Sequence, residues 1–125
     1  MATILIVEDD PLVQKFYTIL FKEEKYTIHL AVDGVEGVAK AKEITPDIIL
    51  MDIMMPKKNG IDALKDIKAD PKLAHIPVVM LTNFGEQEFV KQSTEAGANA
   101  FIIKADVSPR QLITEVRKYV GAPDS

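Results

Sequence analysis

Four short runs of apolar residues punctuate the chain, at 4–7, 48–51, 78–81 and 101–103, with 27–32 as a weaker fifth. Three of them are continuous blocks such as "ILIV" and "IILM" rather than alternations of apolar and polar positions. A block of that kind suits a strand covered on both faces, as in a parallel sheet. Segments with helical period separate the runs. Leu12, Val13, Phe16, Ile19 and Leu20 form one apolar stripe, and Val35, Val38, Ala39 and Lys42 a poorer one. Ile61, Leu64 and Ile67 form a third, Phe89, Val90 and Ala96 a fourth, and Leu112, Ile113, Val116, Tyr119 and Val120 a fifth. The helix ends are marked as well. Asp10 before Pro11 reads as an N-cap, Asp33 with Glu36 and Ser108 with Gln111 read as capping boxes, and Pro109 falls at a first helical position. Gly97 reads as a helix stop. Strand and helix thus alternate five times, which predicts an α/β sandwich with a parallel sheet and right-handed crossovers.

In an open parallel sheet, ligands bind beyond the carboxyl ends of the strands. The first run is followed there by Glu8, Asp9 and Asp10, the third by Asp52, the fourth by Thr82 and the fifth by Lys104; the second delivers no reactive group. Taken singly, each has an ordinary explanation: a helix cap, a solvated turn, a loop acid, a β-former, a surface lysine. Their common placement on one edge is what carries information. Crowded carboxylates repel one another unless a cation joins them. Oxygen donors without His or Cys favour a hard ion, Mg²⁺ rather than zinc. A lysine and a hydroxyl beside such a site suit phosphoryl oxygens. The chemistry indicated is phosphoryl transfer with one carboxylate as acceptor.

Composition narrows the classes further. The chain has 125 residues, 47% hydrophobic and 27% charged, as expected of one soluble globular domain. That domain is expected to fill residues 1–125, with its core over about 3–120 and the tail "GAPDS" frayed. The net charge is −4 with no basic block, so direct nucleic-acid binding is not expected. There is no cysteine, which removes disulfides, thiolate metal sites and thiol catalysis. No apolar run approaches the roughly 20 residues that span a bilayer. The start "MATILIVEDD" has no basic region, so it is not a signal peptide and a cytoplasmic location is expected. Neither GxxxxGK[ST] nor GxGxxG occurs. His29 and His75 stand apart from the acids and read as surface or boundary residues.

The stretches "ILIVEDDP", "PDIILMDIMMPKKNG", "IPVVMLT" and "AGANAFIIK", in this order and at these separations, resemble the receiver domain of two-component response regulators. The resemblance covers about residues 3–120. It implies a flavodoxin-like, doubly wound (βα)5 sandwich with strands in the order 2-1-3-4-5. It implies a phosphorylation-controlled signalling switch rather than a conventional enzyme. Asp52 matches the position that accepts phosphate from a phosphohistidine on a sensor histidine kinase or phosphotransfer protein. Glu8 and Asp9 match the acidic pair that holds Mg²⁺, and Met54 the place whose backbone carbonyl completes the metal shell. Thr82 matches the hydroxyl that moves toward the phosphoryl group, Lys104 the cation that pairs with it, and Phe101 the aromatic switch position. A downstream output domain or protein would read the change; the chain itself would be a monomer or weak homodimer.

Some positions depart from the family pattern. Asn83 stands where a small residue is usual and would narrow the entrance. Ala105 replaces a proline that follows a cis bond in relatives. A cis bond before a non-proline residue costs about 2.5–4 kcal/mol, so a trans Lys104–Ala105 bond is expected. Met54 and Phe84, bulky and apolar, sit where side chains tune access of the attacking water, which predicts slow self-dephosphorylation. Met54 also stands where aspartyl phosphatases carry a general acid, which argues against that class. Lys57 and Lys58 read as part of a solvated turn that Pro56 and Asn59-Gly60 shape.

Overall fold

A computed structural model of the chain describes residues 2–83 and 85–120. Phe84 and the tail "GAPDS" lie outside the described residues. Five strands, β1 (Thr3–Val7), β2 (Thr27–Ala31), β3 (Ile48–Met51), β4 (Val78–Thr82) and β5 (Ala100–Ile103), alternate with five helices. These are α1 (Pro11–Glu23), α2 (Gly34–Ile44), α3 (Gly60–Ala69), α4 (Gln87–Glu95) and α5 (Pro109–Val120). The strands are all parallel and lie in the order β2-β1-β3-β4-β5, as expected.

The sheet's two faces explain the continuous apolar blocks. Side chains alternate along a strand. Leu5, Val7, Ile49, Met51, Val78 and Met80 therefore pack on one face with Ile61, Leu64 and Ile67 of α3. Ile4, Ile6, Ile48, Leu50, Val79 and Leu81 pack on the other with Phe21 of α1 and Leu112, Ile113 and Val116 of α5. Every position of β3 and β4 is buried because both faces are covered.

Three helical stripes differ from the sequence reading. In α1 the buried residues are Tyr17 and Phe21. Leu12, Phe16 and Ile19 point outward, with Leu12 77% exposed. In α2 the buried residues are Gly34, Gly37 and Ala41, while Val35, Ala39 and Lys42 are exposed. The reason in α2 is proximity: a Cβ on Gly37 would lie 2.9 Å from Val7 Cγ1, so only small residues fit between this helix and the sheet. In α4 the buried residue is Ser93, with Phe89 and Ala96 partly covered and Val90 exposed.

The caps form as their residues dictate. Asp10 accepts from the Leu12 N–H (2.9 Å) and Asp33 from the Glu36 N–H (2.8 Å). Ser108 and Gln111 cap reciprocally. Gly97, just past α4, has φ +98°. Asn59 is an N-cap, accepting from the Asp62 N–H at 2.9 Å, and Gly60 opens α3. The Lys104–Ala105 bond is trans and leads into a single 3₁₀ turn, Lys104–Asp106. Among the described residues, no helix is long and apolar enough to cross a membrane.

Candidate functional site: an acidic pocket at the carboxyl edge of the sheet

The sheet register builds the site. Val7 of β1 lies beside Met51 of β3, so the next residue on each strand, Glu8 and Asp52, emerge side by side. The Asp52 N–H donates to the Val7 carbonyl at 3.0 Å, which extends the ladder to the acid itself. Carboxylate oxygens of Glu8, Asp9 and Asp52 all lie within 4.8 Å of one another. Glu8 is buried, Asp52 half-buried and Asp9 exposed. These acids, with Met54, Asn83 and Lys104, line a pocket of about 220 Å³.

Lys104 follows β5 and reaches back across the sheet edge. Its ammonium donates to Glu8 Oε1 in a close ion pair and lies 3.8 Å from Asp52 Oδ2. The second Glu8 oxygen accepts from the Asp10 N–H at 3.2 Å, and Asp52 Oδ1 accepts from the Ile53 N–H at 2.8 Å. Burial pushes the Glu8 carboxyl above its ordinary range; the Lys104 bond opposes this and the charge of Asp52 adds to it. Burial raises Asp52 too, against the pull of Lys104 and the Ile53 N–H. The neighbourhood reaches Tyr17 on α1, whose phenol is pushed up to about 12 by burial and by the charges of Glu8 and Asp52.

This donor set fits a hard divalent cation. Three carboxylates crowd together with one ammonium that pairs with two of them, Glu8 and Asp52, and burial disfavours those two as anions. An added cation relieves that excess, and oxygen donors with an exposed member such as Asp9 suit Mg²⁺ with its retained waters.

The remaining sequence candidates fall around this centre. Thr82 ends β4 and is completely buried; Asn83, not Thr82, lines the pocket. Met54 is 53% exposed at its mouth. Phe101 pairs with Met80 in the β4–β5 register and packs half-buried against the core on the α3 face. His29 is half-buried on β2 and His75 exposed, and neither joins the acids. Sequence reasoning missed Gln14, whose amide donates to the Glu8 carbonyl, and Tyr17. Neither lies among the positions of the apolar stripe read on α1, so the periodicity did not single them out. Of the solvated turn read at residues 57 and 58, Lys57 is exposed as expected and only Lys58 departs from it. Lys58 is half-buried and its carbonyl accepts from the Gly34 N–H at 3.0 Å.

The Response regulator receiver domain family matches residues 4–117. The chain is 35% identical over 122 residues to the polar-differentiation response regulator DivK of Brucella anthropi, covering 95% of this chain and 96% of that protein. It is 36% identical over 125 residues to the DNA-binding dual master transcriptional regulator RpaA of Synechocystis sp., covering 99% of this chain but 51% of RpaA. The chain thus spans about half the length of RpaA, and likewise of the MtrA regulators it matches. Among solved structures, a CheY-like receiver domain protein from Methanospirillum hungatei superposes with TM-score 0.90 at 27% identity, covering 99% of this chain and 97% of that one. The receiver domain of the sensor histidine kinase PA1611 from Pseudomonas aeruginosa, which holds a magnesium ion in its active-site cleft, superposes with TM-score 0.88 at 28% identity, over 96% and 98% of the two chains. A parallel sheet in this order with acids at its carboxyl edge defines a flavodoxin-like signalling module, and the chain belongs to the response regulator receiver domain family. Receiver domains are signalling switches of two-component systems, rather than conventional enzymes, and they work with histidine kinases and output domains.

Proposed function

We propose that this domain is a phosphorylation-dependent switch in which Asp52 is the phosphoacceptor. The observation that carries the reading is the convergence of Glu8, Asp9 and Asp52 under a single lysine at the sheet edge. An Asp52 carboxylate oxygen attacks the phosphorus of a phosphohistidine; the P–N bond breaks, and the imidazole leaves with a proton. Asp52 is suited to this because it ends a rigid central strand and its other oxygen is held by the Ile53 N–H.

Glu8, Asp9, Asp52 and the Met54 backbone carbonyl would hold Mg²⁺. Bound there, the ion offsets charge that develops on the transferring oxygens. Lys104, at 3.8 Å from Asp52 Oδ2 but bonded to Glu8, exchanges Glu8 for a phosphoryl oxygen. The product carries roughly −2 charge and new acceptor oxygens at the end of β3. Thr82 moves toward these oxygens, the segment after β4 follows, and Phe101, half-buried beside α4, repacks to present a different surface to an output partner. The outward Leu12, Phe16 and Ile19 of α1 support docking of a phosphodonor protein next to the pocket. Met54, exposed at the mouth, supports slow loss of phosphate by shielding the phosphorus from water. A half-life of only seconds in Mg²⁺ contradicts that last point. A cytoplasmic location goes with this role.

The test of the reading is incubation with acetyl phosphate and Mg²⁺ followed by intact mass. Wild type gains one phosphoryl group and Asp52→Asn gains none. Failure of wild type to label at saturating Mg²⁺ leaves an interaction module without phosphate chemistry.

A further inference from the structure

The segment from Asp52 to Gly60 is tied at two levels. At its neck the Gly60 N–H donates to the Ile53 carbonyl at 2.8 Å, and the two strands of the loop touch so closely that a Cβ on Gly60 would lie 1.9 Å from the Asp52 carbonyl oxygen. At its tip the chain makes a tight turn. The Lys58 N–H donates back to the Pro56 carbonyl at 2.7 Å, and Lys57 takes φ +66°, a left-handed conformation that a residue with a Cβ rarely adopts. The backbone of this strained tip is held by the first turn of α2. The Gly34 N–H donates to the Lys58 carbonyl at 3.0 Å. Buried Asp33, which caps α2 through the Glu36 N–H, also has its other oxygen 3.9 Å from the Lys57 ammonium. The ion pair is largely exposed on the lysine side and contributes little. The backbone bond and the fit around Gly34 do more. A Cβ there would lie 2.3 Å from the Lys58 carbonyl oxygen and 2.8 Å from Lys58 Cγ. Met54 lies between neck and tip, Met55 packs against the core, and the Lys58 ammonium pairs with Asp66 of α3.

We propose that Gly34 is a positioning residue for the cation site: by fixing the Lys57–Lys58 turn, the start of α2 holds the Met54 carbonyl facing the acids. This rests on the reading that Met54 supplies a backbone ligand. No acid of the pocket touches Gly34, so its effect on the ion is exerted wholly through the loop. Linkage makes the coupling reciprocal: if the Gly34 bond favours the ion, the ion must favour the Gly34 bond.

The test uses Mg²⁺ alone, read by amide NMR below the unfolding range of each variant. Gly34→Ala pushes the turn away and weakens the Mg²⁺ dissociation constant by about tenfold, the scale seen when a residue that orients a ligand is lost. Val35→Ala, at the exposed next position of the same helix, leaves it unchanged. In wild type, saturating Mg²⁺ slows hydrogen exchange of the Gly34 amide by about the same tenfold factor. The Thr45 amide, bonded at the far end of α2, does not respond. The exchange arm decides the matter even if Gly34→Ala fails to fold. Equal Mg²⁺ affinity in Gly34→Ala and wild type, or Gly34 exchange that ignores the ion, overturns the proposal. A wild type that binds no Mg²⁺ at all instead overturns the reading on which it rests.

Discussion

Lys68 and Lys104 sit at opposite edges of the sheet and are held in opposite ways. Lys68, at the end of α3, donates to the carbonyls of Ile76 (2.8 Å) and Ala74 (3.2 Å) and to Asn99 Oδ1 (3.4 Å). Burial lowers its pKa, and every acceptor it has is neutral and fixed by the fold. Lys104 is paired instead with two carboxylates, both of which burial disfavours as anions. The first arrangement is complete and offers nothing to exchange. The second holds an ammonium on partners that would give it up to a cation or a phosphate. A half-buried lysine among carbonyls is a rivet; a half-buried lysine among acids that burial disfavours as anions is a working part.

The largest test of that contrast is chemical. Lys104→Met is expected to slow labelling by acetyl phosphate by about 100-fold, the loss typical of one removed charge-stabilising donor. Lys68→Met should leave the labelling rate alone, and an equal loss in both variants breaks the distinction. Next in size is the response to Mg²⁺. At a free concentration about 100 times its dissociation constant, the ion should stabilise wild type against urea by about 2.7 kcal/mol. Lys68→Met should gain the same increment. Lys68→Met should itself cost about 1–3 kcal/mol with or without the ion, because it leaves the Ala74 and Ile76 carbonyls short of a donor. A cost that disappears in Mg²⁺ would place Lys68 within the switch.

The smallest effect is that of pH in metal-free buffer. Glu8 and Asp52 have folded pKa values above their ordinary 4.5 and 3.8, so the folded form holds more protons than the unfolded one between those values and the raised ones. Stability therefore falls as pH rises through that window and is regained as pH drops back through it. Urea midpoints of wild type minus Asp52→Asn isolate this contribution. A difference that does not vary with pH shows that the acids are not burdened by burial.

Much of the architecture was legible because strands of a doubly covered sheet must be apolar on both faces. The runs at 48–51 and 78–81 match β3 and β4 to within a residue, and Ala100, too small to extend a run of large residues, begins β5. The faces of α1 and α2 were not legible. Counting large apolar side chains favours Phe16 over Tyr17 and Val35 over Gly37, but the sheet lies so near α2 that it selects for small volume. The placement of Glu8, Asp9, Asp52 and Lys104 on one edge followed from strand ends alone. What sequence spacing does not encode is which acid the lysine prefers, because that depends on side-chain reach across β3 and β4. The same holds for the Gly34–Lys58 tie, which joins the start of α2 to a loop distant in the chain.

The acids and the lysine also differ in where the chain supplies them. Glu8, Asp9 and Asp52 directly follow β1 and β3 at the centre of the sheet. Lys104 comes with β5, an edge strand of four half-buried residues that pairs only with β4. The pocket's charge balance therefore hangs on the sheet's margin. Each time β5 frays, Glu8 and Asp52 lose their counter-ion together, so edge opening and site repulsion are one event. A divalent ion at the acids would uncouple them, leaving β5 free to breathe without disturbing the centre.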